Sequence, residues 1–437
     1  MMERQYKDSG IEWIGRIPED WEVVPFRSYV NERSEKNKGE KTHELLALSF
    51  ALGVTLYKDK VFNMDRVKDN YEDYQLVYEN DLVLSPNDII KGSVFVSKYS
   101  GCISPMYFVF SARNVKTHYL PYLSYLLRTR EAGKKFFFIA RGLIGSLLDN
   151  GKYVTRRMTV SKQDLLKFKV LLPSLVEQHK IVEYLDKKCG EIDELIALQE
   201  KMIAQLTEYK QAVITEAVTK GLDPSAKLVP SGIEWIGDVP EGWSINKINR
   251  LFRMIGSGTT PSSSDDDAYI GTINWLQSGD INGGIIANAN KRISIDTLDK
   301  YPALSVYKQP FIIVAMYGAS VGNISISHID ACVNQACCVM SESIINFNYA
   351  FYAIKSAQRY LIYRAVGGGQ PNISQNTLRQ LWLPLPPLPD QQRIASYLDT
   401  KCSEIDTLIT LKRQKIESLN AYKKSIIYEA VTGKTII

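Results

Sequence analysis

The chain has 437 residues, which exceeds one compact domain of typical size and predicts two globular units with connecting structure. Hydrophobic residues make up 45% of the chain and aromatic residues 10%, with 25 tyrosines, so a disordered chain is excluded. The net charge of +5 is mildly basic and alone does not separate a nucleic-acid binder from an ordinary enzyme.

The first ten residues, MMERQYKDSG, do not resemble a signal peptide, and no apolar run approaches the length of a membrane span. We therefore expect a cytoplasmic protein without a membrane contact. The six cysteines form no paired Cys-x-x-Cys pattern, which predicts buried or incidental thiols. Cys332 and Cys337 with His328 match no standard zinc signature, so no metal site is expected.

Two repeats show that the chain is a duplication. SGIEWIGRIPEDW at Ser9 to Trp21 returns as SGIEWIGDVPEGW 222 positions later. A second pair, LPSLVEQHKIVEYLDKKCGEIDELIALQ and LPPLPDQQRIASYLDTKCSEIDTLITLK, lies 213 positions apart and runs on to EAVTK and EAVTG. The repeats alternate along the chain.

Because the tryptophans recur in both halves, we expect them to pack a core rather than to stack on a ligand. They are Trp13, Trp21, Trp235 and Trp243.

The segments between the repeats have diverged strongly. A faint similarity aligns Gly92 with Gly322 and Cys102 with Cys332, and both segments contain short apolar stretches with glycine and polar turns, as strands do. Each segment is predicted to be the same mixed α/β domain with different surface residues. From Arg128 to Lys169 the first segment has eleven Lys or Arg against three acidic residues. This strip fits phosphate contacts and a solvated basic face equally well.

The second repeat predicts a long helix in each half. Pro173 and Pro386 precede the two helices, and Gly221 ends the first. Apolar residues recur at heptad spacing in the same register in both copies, which predicts that the helices bury their stripes against each other as an antiparallel pair. The predicted seam consists of Leu185, Ile192, Ile196, Ile203, Leu206, Val213, Leu398, Ile405, Ile409, Ile416, Leu419 and Ile426.

Signatures of enzyme chemistry are missing. A phosphate-binding loop at Gly433-Lys434-Thr435 would need glycine where Tyr428 stands. His179 lies in the helix repeat, where its duplicate is Gln392, and no Asn-Pro-Pro-aromatic tetrapeptide of an amino-methylating DNA methyltransferase occurs. We expect no catalytic residues. Two other functions stay open on this pattern: a diverged stand-alone DNA methyltransferase or nuclease, and a two-headed scaffold without a DNA role.

Four features together resemble a known family. They are IPEDW and VPEGW opening the halves, GSGTTP after the second opening, GGGQPNIS near the close of the second variable segment, and LPPLPDQQRIASYLD leading into the helix. In these features the chain resembles, over nearly its whole length, the DNA-specificity subunits of type I restriction-modification enzymes. The first half departs from the pattern, with LLALSFALGVT in place of the GSGTTP region and TRRMTVS in place of QPNIS. This departure favours a different half-site over a different role.

The fold expected from the repeats and from this resemblance is α+β, with an internal pseudo-twofold repeat. It has two mixed α/β target-recognition domains separated by two long helices that form an antiparallel coiled coil. The expected boundaries are 1–173 for the first target-recognition domain, 174–221 for the first long helix, 222–386 for the second domain and 387–437 for the second helix.

The resemblance implies that this chain is a non-catalytic reader of double-stranded DNA. Each domain would read one half of an interrupted site, and the helices would dock two methyltransferase (modification) subunits. Restriction and translocase subunits would complete the assembly. S-adenosylmethionine, ATP and Mg are implied on those partner subunits, and no cofactor is implied on this chain.

The candidate DNA contacts are polar or basic residues predicted on loops, where base edges and phosphates are usually read. For each one, an ordinary solvated loop residue is an equally good interpretation. The candidates are Ser85, Asn87, Lys91, Arg141, Lys152, Tyr153, Arg156 and Arg157 in the first domain, and Thr259, Thr260, Gln277, Ser278, Asn334, Gln335, Gln370 and Asn372 in the second. Asn334 and Gln335 align with Ser104 and Pro105, which also fits a structural turn. Polar helix residues, which face either a partner or solvent, are Glu177, Gln178, Glu191, Asp193, Gln391, Gln392, Glu404 and Asp406.

Overall fold

The structure is a computed structural model that describes residues 4–60, 71–142, 144–147, 153–155, 158–262, 265–318, 320–365 and 371–437. The chain divides into two compact units. Unit 1 comprises Met1–Gln199 with Gln414–Ile437, and unit 2 comprises Glu200–Arg413. Each unit therefore combines one variable segment with a stretch of both long helices.

Short strands and helices make up the first half of the chain, up to the first long helix. The strands are β1 (Tyr6–Asp8), β2 (Arg16–Pro18), β3 (Glu22–Pro25), β4 (Val30–Glu32), β5 (Leu46–Ser49), β6 (Gly53–Leu56), β7 (Gln75–Val77), β8 (Leu82–Leu84), β9 (Val94–Val96), β10 (Gly101–Ile103), β11 (Phe108–Ala112), β12 (Ile144–Leu147), β13 (Tyr153–Thr155) and β14 (Lys169–Leu172). The helices are α1 (Phe26–Tyr29), α2 (Tyr57–Lys60), α3 (Leu120–Leu127), α4 (Arg130–Ile139), α5 (Lys162–Lys167) and α6 (Leu175–Lys220).

Unit 1 is organised around an antiparallel sheet in the order β4–β11–β8–β9. Successive side chains of a strand point to opposite faces, so Leu82 and Leu84 enter the main core and Val83 enters a smaller core with the β5–β6 hairpin. Helices α3 and α4 cover the main core with the fully buried side chains of Tyr122 and Phe136.

The second half of the chain repeats this plan. Its strands are β15 (Leu228–Pro230), β16 (Asp238–Pro240), β17 (Ser244–Lys247), β18 (Phe252–Gly256), β19 (Ile273–Leu276), β20 (Ile285–Ile286), β21 (Lys291–Ile293), β22 (Phe311–Ala315), β23 (Ile324–Ser327), β24 (Ala331–Val333), β25 (Cys337–Ser343) and β26 (Trp382–Leu385). Its helices are α7 (Ile248–Leu251), α8 (Ile295–Lys300), α9 (Phe347–Ser356), α10 (Gln358–Tyr363), α11 (Gln375–Arg379) and α12 (Leu388–Val431).

Unit 2 contains a sheet in the order β18–β25–β22–β23–β20, beside a smaller sheet in the order β21–β19–β24. The first four strands of the larger sheet correspond in order to those of unit 1. Ile312 and Val314 enter one core and Ile313 enters the other, as in β8. The sequence prediction that both variable segments share one α+β fold is confirmed.

Both long helices are present, with 46 residues in α6 and 44 in α12, or roughly 65 to 70 Å each at 1.5 Å per residue. Each ends against a tryptophan of the first repeat. Gly221 follows α6 at φ +76°, and a Cβ atom there would lie 3.2 Å from Trp243. Gly433 follows α12 at φ +69°, and a Cβ atom there would lie 3.1 Å from Trp21. Only glycine adopts this backbone readily. No helix in the described ranges is long and apolar enough to cross a membrane.

Two of the polar helix residues do not face a partner or solvent. Gln178 accepts a hydrogen bond from the backbone N–H of Tyr119 at 2.8 Å and donates one to the carbonyl oxygen of Pro173 at 2.8 Å. Its duplicate Gln391 does the same with Asn346 and Pro386, at 2.9 and 2.8 Å. Both side chains are buried, so they anchor the start of each helix to its own domain.

The predicted seam residues differ in burial along the helices. Eight are buried: Leu185, Ile192, Val213, Leu398, Ile405, Ile409, Leu419 and Ile426. Ile196, Ile203, Leu206 and Ile416 are half-buried. In unit 1 the residues Ile192, Ile196, Leu419 and Ile426 form one apolar cluster between α6 and α12.

Candidate nucleic-acid interface

In unit 2, the loop at residues 256–261 lies on the turn that follows β24. A Cβ atom on Gly258 would lie 1.8 Å from the carbonyl oxygen of Val333, so glycine is required for this close approach. The hydroxyl of Thr260 donates a hydrogen bond to the side-chain oxygen of Gln335. The loop and the turn thus present their polar side chains together.

Gln277 and Ser278 follow β19 beside the same turn. The backbone N–H of Asn334 donates to the carbonyl oxygen of Leu276 at 3.0 Å, and the hydroxyl of Ser320 donates to the carbonyl oxygen of Ser278 at 2.8 Å. Both residues are half-buried, so their side chains keep partial access to solvent.

Asn372 reaches this place from another segment. It forms a backbone bridge with Tyr317, and next to it Ile373 donates to the carbonyl oxygen of Met316 at 2.7 Å. Met316 in turn donates to the carbonyl oxygen of Ala336 at 2.7 Å. The structure therefore brings together six predicted residues of unit 2: Thr259, Thr260, Gln277, Ser278, Gln335 and Asn372.

Asn334 has a structural position. Its side-chain oxygen accepts hydrogen bonds from the backbone of Ala336 and from the Cys337 thiol, both at 3.1 Å, and the residue is 8% exposed. The neighbouring Gln335 is exposed. Asn334 shapes the turn that presents Gln335.

In unit 1, the loop after β8 meets the segment before α5. The hydroxyl of Thr159 donates to the side-chain oxygen of Asn87 at 2.6 Å, and Val160 donates to the carbonyl oxygen of Pro86 at 3.0 Å. Arg141 pairs its backbone with Thr159 at 2.9 Å in both directions. Asn87 and Arg141 therefore belong to one site.

The other predicted residues of that loop have different roles. Ser85 is buried, and its hydroxyl donates to Asp88 at 3.2 Å, so it fixes the loop. The ammonium of Lys91 lies 3.5 Å from Asp88, and the guanidinium of Arg141 lies 3.4 Å from Asp164. Both cations are largely exposed and lie at the rim of the site.

Some predicted residues cannot be placed in this site. Lys152, Arg156, Arg157 and Gln370 lie outside the described residues. Tyr153 belongs to β13, of which the backbone is described.

The two sites occupy corresponding positions in the two domains. Asn87 lies 230 positions before Tyr317, and Thr159 lies 213 positions before Asn372. Beside them, Val160 donates to the carbonyl oxygen of Pro86 just as Ile373 donates to that of Met316, at 3.0 and 2.7 Å. The same backbone junction thus carries different side chains in each half.

Sequence reasoning missed a pair of corresponding cations, Arg128 and Lys355, near the ends of α3 and α9. The guanidinium of Arg128 lies 4.4 Å from the ring centre of Phe95, whereas Lys355 donates to the carbonyl oxygen of Gly283 at 2.6 Å. Burial, followed by the nearby charge of Lys210, lowers the pKa of Lys355 to about 8.

A sequence signal for this correspondence exists. Three residues earlier, Tyr125 donates to Asp186 at 2.7 Å and Tyr352 donates to Asp399 at 2.8 Å, and the two aspartates are duplicates in the helix repeat. Aligning these tyrosines would have paired Arg128 with Lys355. Through its hydrogen bond to Gly283, Lys355 holds the loop that follows Ser278.

The two cysteines weighed as metal ligands lie in apolar surroundings. Cys332 and Cys337 are buried in separate apolar clusters. Burial raises the pKa of the Cys332 thiol to about 11, so it stays protonated at neutral pH. Within the described ranges, no group of three His, Cys, Asp or Glu could hold a metal ion.

The long helices also expose apolar side chains in duplicate. Leu195 and Leu198 on α6 are 46% and 50% exposed, and their duplicates Leu408 and Leu411 on α12 are 47% and 55% exposed. Tyr209 and its duplicate Tyr422 are 57% and 55% exposed. Exposed apolar side chains that recur in both copies of a repeat are candidates for a contact with another protein.

Comparison with known proteins identifies the family. The sequence model described as type I restriction modification DNA specificity domain matches residues 19–208 and again 240–421. The type I restriction enzyme MjaVIII specificity subunit of Methanocaldococcus jannaschii is 26% identical over 430 residues, covering 96% of this chain and 94% of that protein. The EcoBI specificity subunit of Escherichia coli is 26% identical over 318 residues, covering 69% of this chain and 65% of that protein.

The fold is also that of a solved structure. A chain from work on complex assembly and conformational transition of the type I R-M system superposes with a TM-score of 0.71 at 16% identity, covering 96% of this chain and 99% of that one. The chain described here belongs to the type I restriction-modification DNA-specificity family, and it is a DNA-specificity subunit.

Proposed function

We propose that each variable domain reads one half of a bipartite duplex DNA site, and that the long helices form an antiparallel coiled coil that separates the two readers. The helices also dock two methyltransferase subunits. The observation that carries this proposal is the repeated backbone hydrogen bond, from Val160 to Pro86 and from Ile373 to Met316, which places Asn87 near Thr159 in one domain and Tyr317 near Asn372 in the other. One scaffold with different side chains suits two readers of different base sequences.

Proposed contacts with DNA are the exposed or half-buried polar residues of the two junctions. In the first domain these are Asn87, Lys91 and Arg141, together with the predicted Lys152, Tyr153, Arg156 and Arg157. In the second they are Thr259, Thr260, Gln277, Ser278, Gln335 and Asn372, together with Gln370. Amide and hydroxyl groups suit base edges, and the cations suit phosphates.

The coiled coil is supported inside each unit. Lys423 on α12 contacts Asp193 on α6 at 2.6 Å in unit 1, and Lys210 on α6 contacts Asp406 on α12 at 2.6 Å in unit 2. The partner of Asp193 on α12 comes later in the sequence than Asp406, the partner of Lys210. Positions thus run upward along α6 while their partners run downward by the same amount along α12, which is the register of an antiparallel pair. In unit 1, Ile192, Ile196, Leu419 and Ile426 supply apolar contacts between the helices.

Docking of two methyltransferase subunits is supported by the duplicated exposed leucines and tyrosines of the helices. A pseudo-twofold repeat offers the same surface twice, and therefore suits two copies of one partner. We place S-adenosylmethionine, ATP and Mg on partner subunits and assign this chain no catalytic step. We further place the complex in the cytoplasm, with restriction and translocase subunits completing it.

The test is to measure binding of duplex DNA by the chain in complex with its methyltransferase partner. Affinity should fall by orders of magnitude between about 50 and 200 mM salt if a handful of phosphates are contacted. Affinity that does not change with salt would contradict the proposal.

Replacing residues 22–172 with the variable domain of a relative should change one half of the methylated site and leave the other half unchanged. Sequencing of methylated sites gives the answer. A change in both halves would show that the domains do not read independently.

A further inference from the structure

Each domain exposes an aromatic side chain near the end of the second helix of its helix pair. Phe138 on α4 is 77% exposed and Tyr363 on α10 is 85% exposed. Both helices have the same burial pattern, with a fully buried residue two positions earlier, Phe136 or Leu361. The exposed aromatic position is therefore duplicated in the two domains. It lies outside the repeat that forms α6 and α12. Single exposed apolar side chains are common on protein surfaces, whereas an aromatic ring exposed at the same position of both domains is a feature that the two readers share.

The two helices are fixed beside the DNA-reading junctions. A Cβ atom on Gly133 would extend from α4 to 2.5 Å from the carbonyl oxygen of Ile90, which neighbours Lys91. A Cβ atom on Gly322, the counterpart of Gly92, would lie 2.7 Å from the side chain of Ile362 on α10. In the first domain α4 thus packs against the turn after β8, which contains Asn87. In the second domain α10 packs against the turn after β22, which contains Tyr317.

Each ring has at least one basic residue within one helical turn of it. The ammonium of Lys135 lies 5.9 Å from the ring centre of Phe138, and Lys134 and Arg364 are exposed. Within the described ranges, Lys134 and Arg364 have no ion-pair partner, whereas Lys135 pairs with Glu12 at 3.0 Å. Exposed aromatic rings with cations nearby suit a nucleic-acid surface, where rings stack on bases and cations meet phosphates.

We propose that Phe138 and Tyr363 each wedge their ring into the base stack of one half-site. This inference rests on the proposed function and adds the residues that distort the DNA. A methyltransferase acts on a base that has left the stack, and an apolar wedge at a neighbouring step lowers the cost of extruding it. Phe138 serves the half-site of the first domain, and Tyr363 serves that of the second.

The experiment uses the chain assembled with its methyltransferase partner and duplex DNA carrying 2-aminopurine at successive positions of each half-site. Unstacking of this base raises its fluorescence. Phe138→Ala should abolish the rise in one half-site, and Tyr363→Ala should abolish it in the other. Each variant should bind DNA about tenfold more weakly, in line with the loss of one stacked base. Phe138→Trp should retain the fluorescence rise.

Val115→Ala is the matched control, because Val115 is also 77% exposed in the first domain and lies in the turn between β11 and α3. It should leave fluorescence and affinity unchanged. If the wild-type complex binds without sequence preference, the proposed function itself fails. If the wild type is specific and both alanine variants match it, only the wedge is overturned. Weaker assembly with the partner, at unchanged affinity of the assembled complex, also overturns the wedge and assigns the rings to a protein contact.

Discussion

Lys423 donates hydrogen bonds to both carboxylate oxygens of Asp193, at 2.7 and 2.6 Å, and so joins α12 to α6 in unit 1. Their duplicates repeat the contact with the helices exchanged, because Lys210 of α6 donates to both oxygens of Asp406 of α12 at 2.7 and 2.6 Å. An internal duplication has thus become a pair of equivalent ion pairs, each inside one unit.

Asp193→Lys should lower the melting temperature slightly, because it sets two ammonium groups against each other. The effect should stay near 1 kcal/mol or less, since the carboxylate is 60% exposed and solvent screens the pair. Adding Lys423→Asp should restore stability. Glu194→Lys, at a neighbouring exposed position of α6, is the control. A double variant no more stable than Asp193→Lys alone would contradict the pairing.

The duplicated leucines of the seam should differ in importance. Leu419 is 9% exposed and packs with Ile192 and Ile426, whereas Leu206 is half-buried. Leu419→Ala should reduce the free energy of unfolding by about 2 to 3 kcal/mol, within the range for buried leucines, and Leu206→Ala should cost less. Urea unfolding of the two variants gives the comparison. Equal losses would mean that the two positions pack alike.

Gly258→Ala should disrupt the loop at residues 256–261, because its Cβ would overlap the carbonyl oxygen of Val333. We expect that the half-site of the second domain is no longer recognised. Methylated sites should still contain the half-site of the first domain. Gly284→Ala is the matched control, since Gly284 is none of the proposed DNA contacts and a Cβ there would make only an ordinary contact, 3.5 Å from the Asn282 side chain. Sequencing of methylated sites distinguishes the two variants. Unchanged recognition by Gly258→Ala would remove this loop from the interface.

The sequence predicted the architecture better than the site. Repeats and heptad spacing are local patterns, and they were sufficient for the α+β fold, the two domains and the long helices. Side-chain roles depend on contacts distant in sequence. Ser85 is a candidate DNA contact in the sequence, yet it is buried and holds its own turn, and for Asn334 the structure supports the alternative of a structural turn. Gln178 was likewise assigned to the surface, whereas its contact with Tyr119 crosses 59 positions.

The stability of unit 2 should depend on pH through Lys355. Its pKa is lowered to about 8 from an ordinary 10.5, so between these values the unfolded chain binds a proton that the folded chain has lost. Below about pH 8 the folded protein must bury the charged ammonium, and this destabilises the fold by the full amount. The free energy of unfolding therefore rises with pH across that window, as the folded protein loses the proton. The free energy of unfolding of the wild type relative to Lys355→Met should rise from about pH 8 to 10.

Urea unfolding of both proteins at several pH values measures this difference. Lys401→Met is the control, because a hydrogen bond to Glu404 raises the pKa of Lys401, and it should give no slope in the same window. A flat difference for Lys355→Met would mean that Lys355 keeps its charge in the fold.

The spacing between the half-sites should follow the length of the helices, if the proposed coiled coil is the rigid link between the readers. Inserting four helical residues after Gln199 and four after its duplicate Lys412 adds about 6 Å to each helix. Four residues are little more than one turn, so the heptad seam tolerates them as a stutter. Both helices must be lengthened, because an antiparallel partner of the original length would be strained.

Duplex DNA rises about 3.4 Å per base pair, so the preferred gap between half-sites should grow by about one or two base pairs. The half-sites themselves should stay the same, because the reading junctions lie outside the inserted turns. Sequencing the sites methylated by the lengthened protein measures the gap. The control is a chain with the insertion in α6 alone, which should assemble poorly with the methyltransferase. An unchanged gap with full activity would show that the helices do not set the spacing.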